Sequence, residues 1–276
     1  MDPHSPAPFS FVSLLTSIWH NRWLVAQMVR REIVGRYKGS VIGIFWAFIN
    51  PLILLVIYTF VFSVVFKARW GSTQPDGQPE FAVILFSGMI VHGLFAETMT
   101  RAPTLIVSNV NYVKKVIFPL EILPVVAMGT SIFHSLISFL ILTIAIWLVK
   151  GFVPWTAVFF PIVLLPLIGV ALGLAWALAA IGVFLRDVAQ PIGLLMTILL
   201  FLSPVFYPVS ALPQQLQPWL FLNPLTFIIE QMRTVMIVGT FPNAIGIVSY
   251  GVISLGFSWL GYAWFQKTRK GFANVL

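Results

Sequence analysis

The sequence contains no cysteine and very few charged residues. None of its 276 residues is a cysteine, which excludes disulfides, thiolate metal sites, cysteine nucleophiles and lipid attachment through cysteine. Charged residues make up 9% of the chain, hydrophobic residues make up 59%, and the mean hydropathy is +0.97. A soluble domain of this length cannot bury so many apolar side chains. We therefore predict an all-α integral membrane protein.

Motifs for binding nucleotides, metals and nucleic acids are also missing. The pattern G-x-x-x-x-G-K followed by Ser or Thr does not occur, so we expect a partner polypeptide, and not this chain, to bind any ATP and Mg²⁺. The four histidines lie at no ligand spacing, and the acidic residues form no close pair within a span. We accordingly expect no metal site, no bound cofactor and no catalytic residue. The basic residues flank apolar runs, which argues against a nucleic-acid partner.

The first forty residues form a predicted cytoplasmic segment with an amphipathic helix. Apolar residues recur at steps of three and four over residues 9–32, a pattern typical of a helix that lies in the membrane interface. The residues suited to the headgroup level and the polar face are Trp19, Trp23, Arg22, Arg30 and Arg31. A short soluble helix packed on a partner is the alternative. No cleavable signal pattern precedes this segment, so we expect the first span to act as an uncleaved anchor.

Six apolar segments follow, each near the ~20 residues that cross a bilayer. They cover residues 41–66, 81–100, 121–149, 157–185, 190–207 and 244–265. With the N-terminus inside, twelve of the Lys and Arg residues fall on the cytoplasmic side and four on the outer side. This asymmetry predicts six spans with both termini in the cytoplasm. We interpret residues 41–276 as a single transmembrane domain.

Residues 203–243 interrupt the pattern of spans. Three prolines, Pro204, Pro208 and Pro213, end the fifth span, and the stretch that follows is too apolar for an exposed loop. Irregular backbone at membrane depth must be covered by protein or line a cavity, so we predict short re-entrant helices between spans five and six. The residues assigned to a substrate channel or outer cap are Phe206, Tyr207, Trp219, Phe221 and Asn223. An interfacial cap with no transport role is the alternative.

Charged residues at the inner ends of the spans allow two interpretations each. Lys114 and Lys115 suit a short helix that lies across a partner, or they only enforce the topology. Arg186 and Asp187 occupy a tight inner turn, where they form either a rigid transmission point or a plain interfacial ion pair. Glu97 is either a functional charge within the second span or a side chain that reaches the interface.

Several motifs together resemble a known family. They are residues 31–43, Trp46–Pro51, residues 111–124, 184–188, 201–208, 223–226 and the tail 272–276. In this order they resemble the permeases of polysaccharide-export ABC transporters of the type-2 exporter class. The resemblance covers about residues 20–276.

This resemblance implies a homodimer of six-span subunits that carries two copies of an ABC ATPase. The implied activity is export of lipid-linked capsule, O-antigen or teichoic-acid-like polymer across the bacterial inner membrane. Periplasmic or outer-membrane export proteins are further implied partners. The residues that the resemblance and the charge pattern assign to ATPase coupling are Arg30, Arg31, Arg36, Lys38, Lys114, Lys115, Arg186 and Asp187. The re-entrant helices would cap the outer end of the channel.

Two other functions are weighed against this one. A membrane-embedded transferase acting on lipid-linked sugars would have to use Glu230 with Arg233, or Arg186 with Asp187, as its acid or base. An ion-coupled carrier requires ionisable groups near the bilayer midplane, and this sequence has very few of them.

Overall fold

The computed structural model describes residues 10–66, 78–114 and 118–276. The α-helices in these ranges are α1 (Phe11–His20), α2 (Arg22–Tyr37), α3 (Trp46–Tyr58), α4 (Gln78–Arg101), α5 (Val110–Lys114), α6 (Ile122–Lys150), α7 (Phe160–Phe184), α8 (Ala189–Leu202), α9 (Gln217–Leu220), α10 (Thr226–Arg233), α11 (Ala244–Thr268) and α12 (Phe272–Val275). The described residues contain no strand, in agreement with the all-α prediction. Lys115 and the predicted outer cations Lys67 and Arg69 lie outside the described residues.

Five helical segments are long and apolar enough to cross a membrane. They are Gly43–Val65, Phe81–Thr104, Ile122–Lys150, Trp155–Phe184 and Ala244–Val275. The first combines α3 with wider π-helical turns over Thr59–Val65. These segments confirm five of the six predicted spans to within a few residues at most boundaries, although Ala244–Val275 runs ten residues beyond the predicted end at 265.

The fifth predicted span, residues 190–207, differs from the structure. Its helix α8 has 14 residues, which gives a length of about 21 Å against ~30 Å of hydrocarbon. The helix ends because Ser203 has an extended backbone and Pro204 follows. The count of six spans therefore stays a prediction.

The N-terminal segment consists of two helices, where the sequence predicted one. Asn21 separates α1 from α2, and its side chain amide donates to the carbonyl of Ser17, 2.8 Å away. The amphipathic pattern belongs to α1, because polar and apolar residues are spread around all sides of α2. Helix α2 packs against α6. The position of this N-terminal segment in the membrane interface stays a prediction.

The central helix of the bundle is α4. In its most apolar stretch 78% of the residues are buried, and it packs against α6, α7, α8 and α10. By contrast, only 11% of the corresponding stretch in Gly43–Val65 is buried. The exposed apolar side chains of that first span are suited to lipid or to a second copy of the chain.

Among the described helices, α7 and α11 form the most extensive contact. Gly173 of α7 faces Gly261 of α11, and a Cβ atom on either residue would collide with the backbone of the opposite helix. Ser258 adds a hydrogen bond from its hydroxyl to the carbonyl of Gly169, 2.7 Å long. Small residues allow such close approach between membrane helices, which gains dispersion energy over a long contact.

Candidate coupling surface and outer cap

The bundle has two chemically different ends. One, here called the basic end, contains α1, α2, the C-terminal end of α4, α5, the turn between α7 and α8, and α12. The other, here called the cap end, contains the end of α8, α9, α10 and the residues that precede α11. We predict that the basic end faces the cytoplasm because most of the Lys and Arg residues lie there.

Exposed charges cover the basic end. Arg30, Lys38, Lys114, Arg186 and Asp187 are all exposed. Within the described ranges, none of these five takes part in an ion pair. Of the two alternatives for Arg186 and Asp187, the plain ion pair is not formed among the described residues. Of these five, Arg30, Lys38, Arg186 and Asp187 are therefore available to a partner protein.

Two of the predicted coupling cations contact the chain itself. Arg31 donates to the hydroxyl of Tyr112, 2.8 Å away, and the Tyr112 ring stacks on Phe118 with 4.3 Å between ring centroids. Lys114 donates to the main-chain carbonyl of Leu276. These bonds link α2 to the loop that contains α5, and that loop to the C-terminal residues. The basic end is thus one connected surface.

A cluster of charged residues, not predicted from the sequence, lies beneath this surface. We call Glu32, Arg36, Glu97, Arg101 and His134 the charge cluster. Arg36 Nη1 lies 2.7 Å from Glu97 Oε1, and Glu97 Oε2 lies 2.9 Å from Nδ1 of His134. Arg101 pairs with Glu32. Arg36 was assigned to ATPase coupling, but in the structure it is bound within the chain.

The hydrogen bonds of His134 follow from its neighbours. A carboxylate only accepts, so Nδ1 carries the proton that is donated to Glu97. When the ring is neutral, Nε2 accepts from the hydroxyl of Tyr37, with 3.2 Å between Oη and Nε2. Burial raises the pKa of Tyr37, so that the phenol remains a donor. An open pocket of about 220 Å³ lies beside this site, between α2, α3 and α6.

A buried ion pair, separate from the charge cluster, joins the start of α6 to the C-terminal residues. Glu121 Oε2 accepts from Arg269 Nη1 at 3.0 Å, and Oε1 accepts from the hydroxyl of Ser17 at 2.9 Å. Arg269 also donates to the carbonyl of Phe118 at 3.1 Å. Only 6% of the Glu121 side chain and 9% of the Arg269 side chain are exposed. The sequence signal for this site is an acid at the edge of an apolar span, which requires a partner.

At the cap end, three of the predicted channel residues are held by packing. Phe206 stacks on Phe201 and on Phe62 of the first span, with ring centroids 5.5 Å and 5.9 Å apart. The hydroxyl of Tyr207 donates to the carbonyl of Phe201 at 3.1 Å. The Asn223 amide donates to Ser203 Oγ at 2.9 Å, while its oxygen accepts from the backbone of the following turn.

The other two channel residues project outward. The exposed fraction is 69% for Trp219 and 57% for Phe221. Both lie in or next to the short helix α9, and within the described chain neither ring stacks on another. The structure thus separates the five predicted cap residues into a packed group and an exposed pair.

The pair Glu230 and Arg233 holds the cap to the bundle. Arg233 Nη1 lies 2.9 Å from Glu230 Oε1, and Nη2 donates to the carbonyl of Val205 at 3.0 Å. The guanidinium lies next to Gly88 of α4, where a Cβ atom would be 3.4 Å from Nη2. The bond to Val205 fastens α10 to the segment that follows α8, and the guanidinium packs beside α4, so this pair has a structural explanation that requires no catalysis.

Comparison with known proteins places the chain in a family. It is 27% identical over 265 residues to the O-antigen export system permease protein RfbA of Myxococcus xanthus, which covers 95% of this chain and 98% of the relative. It is 23% identical to RfbA of Klebsiella pneumoniae, covering 79% and 81%, and 23% identical to the polysialic acid transport protein KpsM of Escherichia coli, covering 81% and 84%. A family model described as ABC-2 type transporter matches residues 24–237. The chain is therefore a multi-pass membrane protein that belongs to the ABC-2 type transporter family.

Proposed function

We propose that this chain is the membrane-spanning subunit of an ATP-driven exporter that moves a lipid-linked polysaccharide, of the capsule or O-antigen type, across the bacterial inner membrane. Two copies would form the permease, and each would bind one ABC ATPase that holds ATP and Mg²⁺. The observation that carries this proposal is the exposed basic end, in a chain that aligns over 95% of its length with an O-antigen export permease. ATP hydrolysis by a separate subunit agrees with the absence of a P-loop.

The arrangement of exposed and buried charges supports an ATPase dock at the basic end. Arg30 lies on α2, Lys38 directly follows α2, Lys114 lies on α5, and Arg186 and Asp187 lie in the turn after α7, all exposed. An acidic surface on the ATPase would match these charges, and charge complementarity of this kind fixes the orientation of partners more than it raises affinity.

The cap end suits passage of a sugar polymer. A polymer that moves through a channel requires repeated weak contacts, because a single tight site would stall it. The exposed rings of Trp219 and Phe221 offer flat apolar faces for the C–H surfaces of sugars and present no fixed charge. We propose that these two rings, and not the packed Phe206 and Tyr207, contact the polymer.

The test is purification of the tagged chain together with a co-expressed ABC ATPase from the source organism. We expect a complex of two permease and two ATPase subunits. In vesicles, this complex should move a lipid-linked oligosaccharide only when ATP is present. The matched control is a complex whose ATPase P-loop lysine is replaced. Transport that continues with this control, or a chain that binds no ATPase, would contradict the proposal.

A further inference from the structure

The charge cluster has a regular geometry that connects α2 to α4. Glu32 and Arg36 are four residues apart on α2, and Glu97 and Arg101 are four residues apart on α4. The pairs cross, so that Glu32 binds Arg101 and Arg36 binds Glu97. Two attachment points, one helical turn apart, fix both the distance between the helices and the rotation of α2.

The order of these charges also fixes the register of the two helices. A slide of α2 by one turn in one direction would place Arg36 against Arg101. A slide in the other direction would place Glu32 against Glu97. Either contact puts like charges together in a partly buried site, where the side chains of Glu97 and Arg101 are only 20% and 21% exposed. Like charges brought together in this way are strongly unfavourable.

Helix α6 contacts the same two acids. Thr130 Oγ1 donates to Glu32 Oε2 at 3.1 Å, and one turn later His134 Nδ1 donates to Glu97 at 2.9 Å. The acids are thus held from two sides, by arginines and by α6. The start of α6 is in turn held through Glu121 and Arg269.

From this geometry we propose that α2, α4 and α6 move as one rigid unit, and that the charge cluster passes displacement of α2 to the central helix α4. The inference rests on the proposed function, in which the ATPase binds the surface that includes α2. Continuous helix then connects the cluster to the cap end, because Gly88 of the same helix α4 lies against Arg233 and Val205. The four cluster residues of α2 and α4 are positioning residues, since none of them needs to touch the substrate.

The first test cross-links the two helices. The chain has no cysteine of its own, so Arg36→Cys with Glu97→Cys introduces the only two thiols in this subunit. The full complex with its ATPase is placed in vesicles and treated with a short thiol-specific cross-linker that contains a cleavable bond. Arg36→Cys alone, treated identically, is the control.

A rigid unit keeps its transport when its parts are joined. We expect the cross-linked complex to export at a rate equal to or above that of the untreated double variant. Loss of export on cross-linking, with recovery after cleavage, would overturn the proposal. Export by the untreated double variant tests the proposed function by itself. A loss of export that appears only after cross-linking therefore contradicts the rigid unit and leaves the proposed export function standing.

The second test exchanges charges without changing composition. Glu32→Arg with Arg36→Glu makes both contacts like-charged, and Glu97→Arg with Arg101→Glu does the same from the other helix. We expect each exchange to lower export per ATP hydrolysed by about tenfold or more while the ATPase still copurifies. Both exchanges together restore opposite charges and should recover several-fold of that loss. A fourfold variant no better than either exchange alone, or exchanges that leave export unchanged, would overturn the proposal.

Discussion

Gly261 of α11 lies so close to Gly173 of α7 that neither position accommodates a Cβ atom without movement of the backbone. This contact joins the fourth confirmed span to the last one over the centre of their lengths. It is held by close backbone packing, with Ser258 adding one hydrogen bond. A side chain at either glycine must therefore separate two helices, and this leads to the first prediction.

We expect Gly261→Leu to destabilise the protein by about 1–3 kcal/mol, or to prevent assembly, because the backbone of α7 cannot move away without losing its contacts. Gly256→Leu on the same helix is the control, since nothing lies within 4 Å of a Cβ atom there. Thermal unfolding of the purified complex measures the difference. Equal transition temperatures for the two variants would contradict the importance of this contact.

The second prediction concerns the buried pair of Glu121 and Arg269. Arg269→Ala leaves a carboxylate that is 6% exposed without its cation, and we expect a loss of about 3–5 kcal/mol in unfolding free energy. Lys270→Ala, at the exposed neighbouring position, should change stability by less than about 0.5 kcal/mol. Denaturant titration of both variants in the same detergent provides the comparison. A small loss of unfolding free energy in Arg269→Ala would mean that solvent reaches the Glu121 carboxylate.

The third prediction tests the ATPase dock. We expect Arg30→Glu to reduce the amount of ATPase that copurifies several-fold, because it reverses an exposed charge on α2. Gln214→Glu with Gln215→Glu changes the net charge equally, but at exposed positions of the cap end. The ATPase-to-permease ratio after affinity purification, measured at low and at high salt, is the readout. Equal loss in both variants would indicate a general charge effect and would exclude a local dock.

The fourth prediction concerns the turn between α7 and α8. Asp187→Ala should lower export while the ATPase stays bound, because Asp187 belongs to the proposed ATPase dock. Its side chain is exposed and forms no ion pair within the described residues. Its removal therefore costs little stability. Export and ATP hydrolysis are measured in the same vesicles. Unchanged export per ATP would show that this turn takes no part in coupling.

The fifth prediction separates the exposed and packed rings of the cap. Trp219→Ala should slow polymer export several-fold and leave stability within about 0.5 kcal/mol, since the ring is 69% exposed. Tyr207→Ala should instead lower stability, because it removes the bond to the carbonyl of Phe201. Thermal stability and export are compared in matched preparations. The assignment fails if Trp219→Ala exports normally, or if its export falls only in proportion to its stability.

The sequence predicted the membrane spans well where local pattern decides the structure. Long apolar runs need no distant partner, which is why Gly43–Val65 and Ile122–Lys150 lie close to their predicted bounds. The prediction was less accurate at α8, because the apolar run through Phe206 and Tyr207 continues beyond the point where Pro204 ends the helix. Hydropathy cannot distinguish a span from a helix followed by packed, irregular backbone.

Partners distant in the sequence could not be predicted in the same way. Glu97 and Arg36 lie 61 positions apart, so no periodicity joins them. The sequence showed an acid within an apolar span, which signals a need for a partner, but it did not identify which cation supplies it. Trp219 and Phe206 give a second example, because both are aromatic residues in the same proline-rich stretch of sequence. Only the structure shows that Phe206 packs against Phe62 while Trp219 is exposed.

The pairing of Glu121 with Arg269 also has a consequence for biosynthesis. These residues are 148 positions apart, and a ribosome adds roughly 5–20 residues each second. For roughly 7–30 s, therefore, the nascent chain holds an acid at the edge of its third span before the matching arginine has been made. During this interval Ser17, already synthesised, is available to bond the carboxyl group. The basic end consequently acquires its final structure only after Arg269 has been made, when the helices that it connects have already been synthesised.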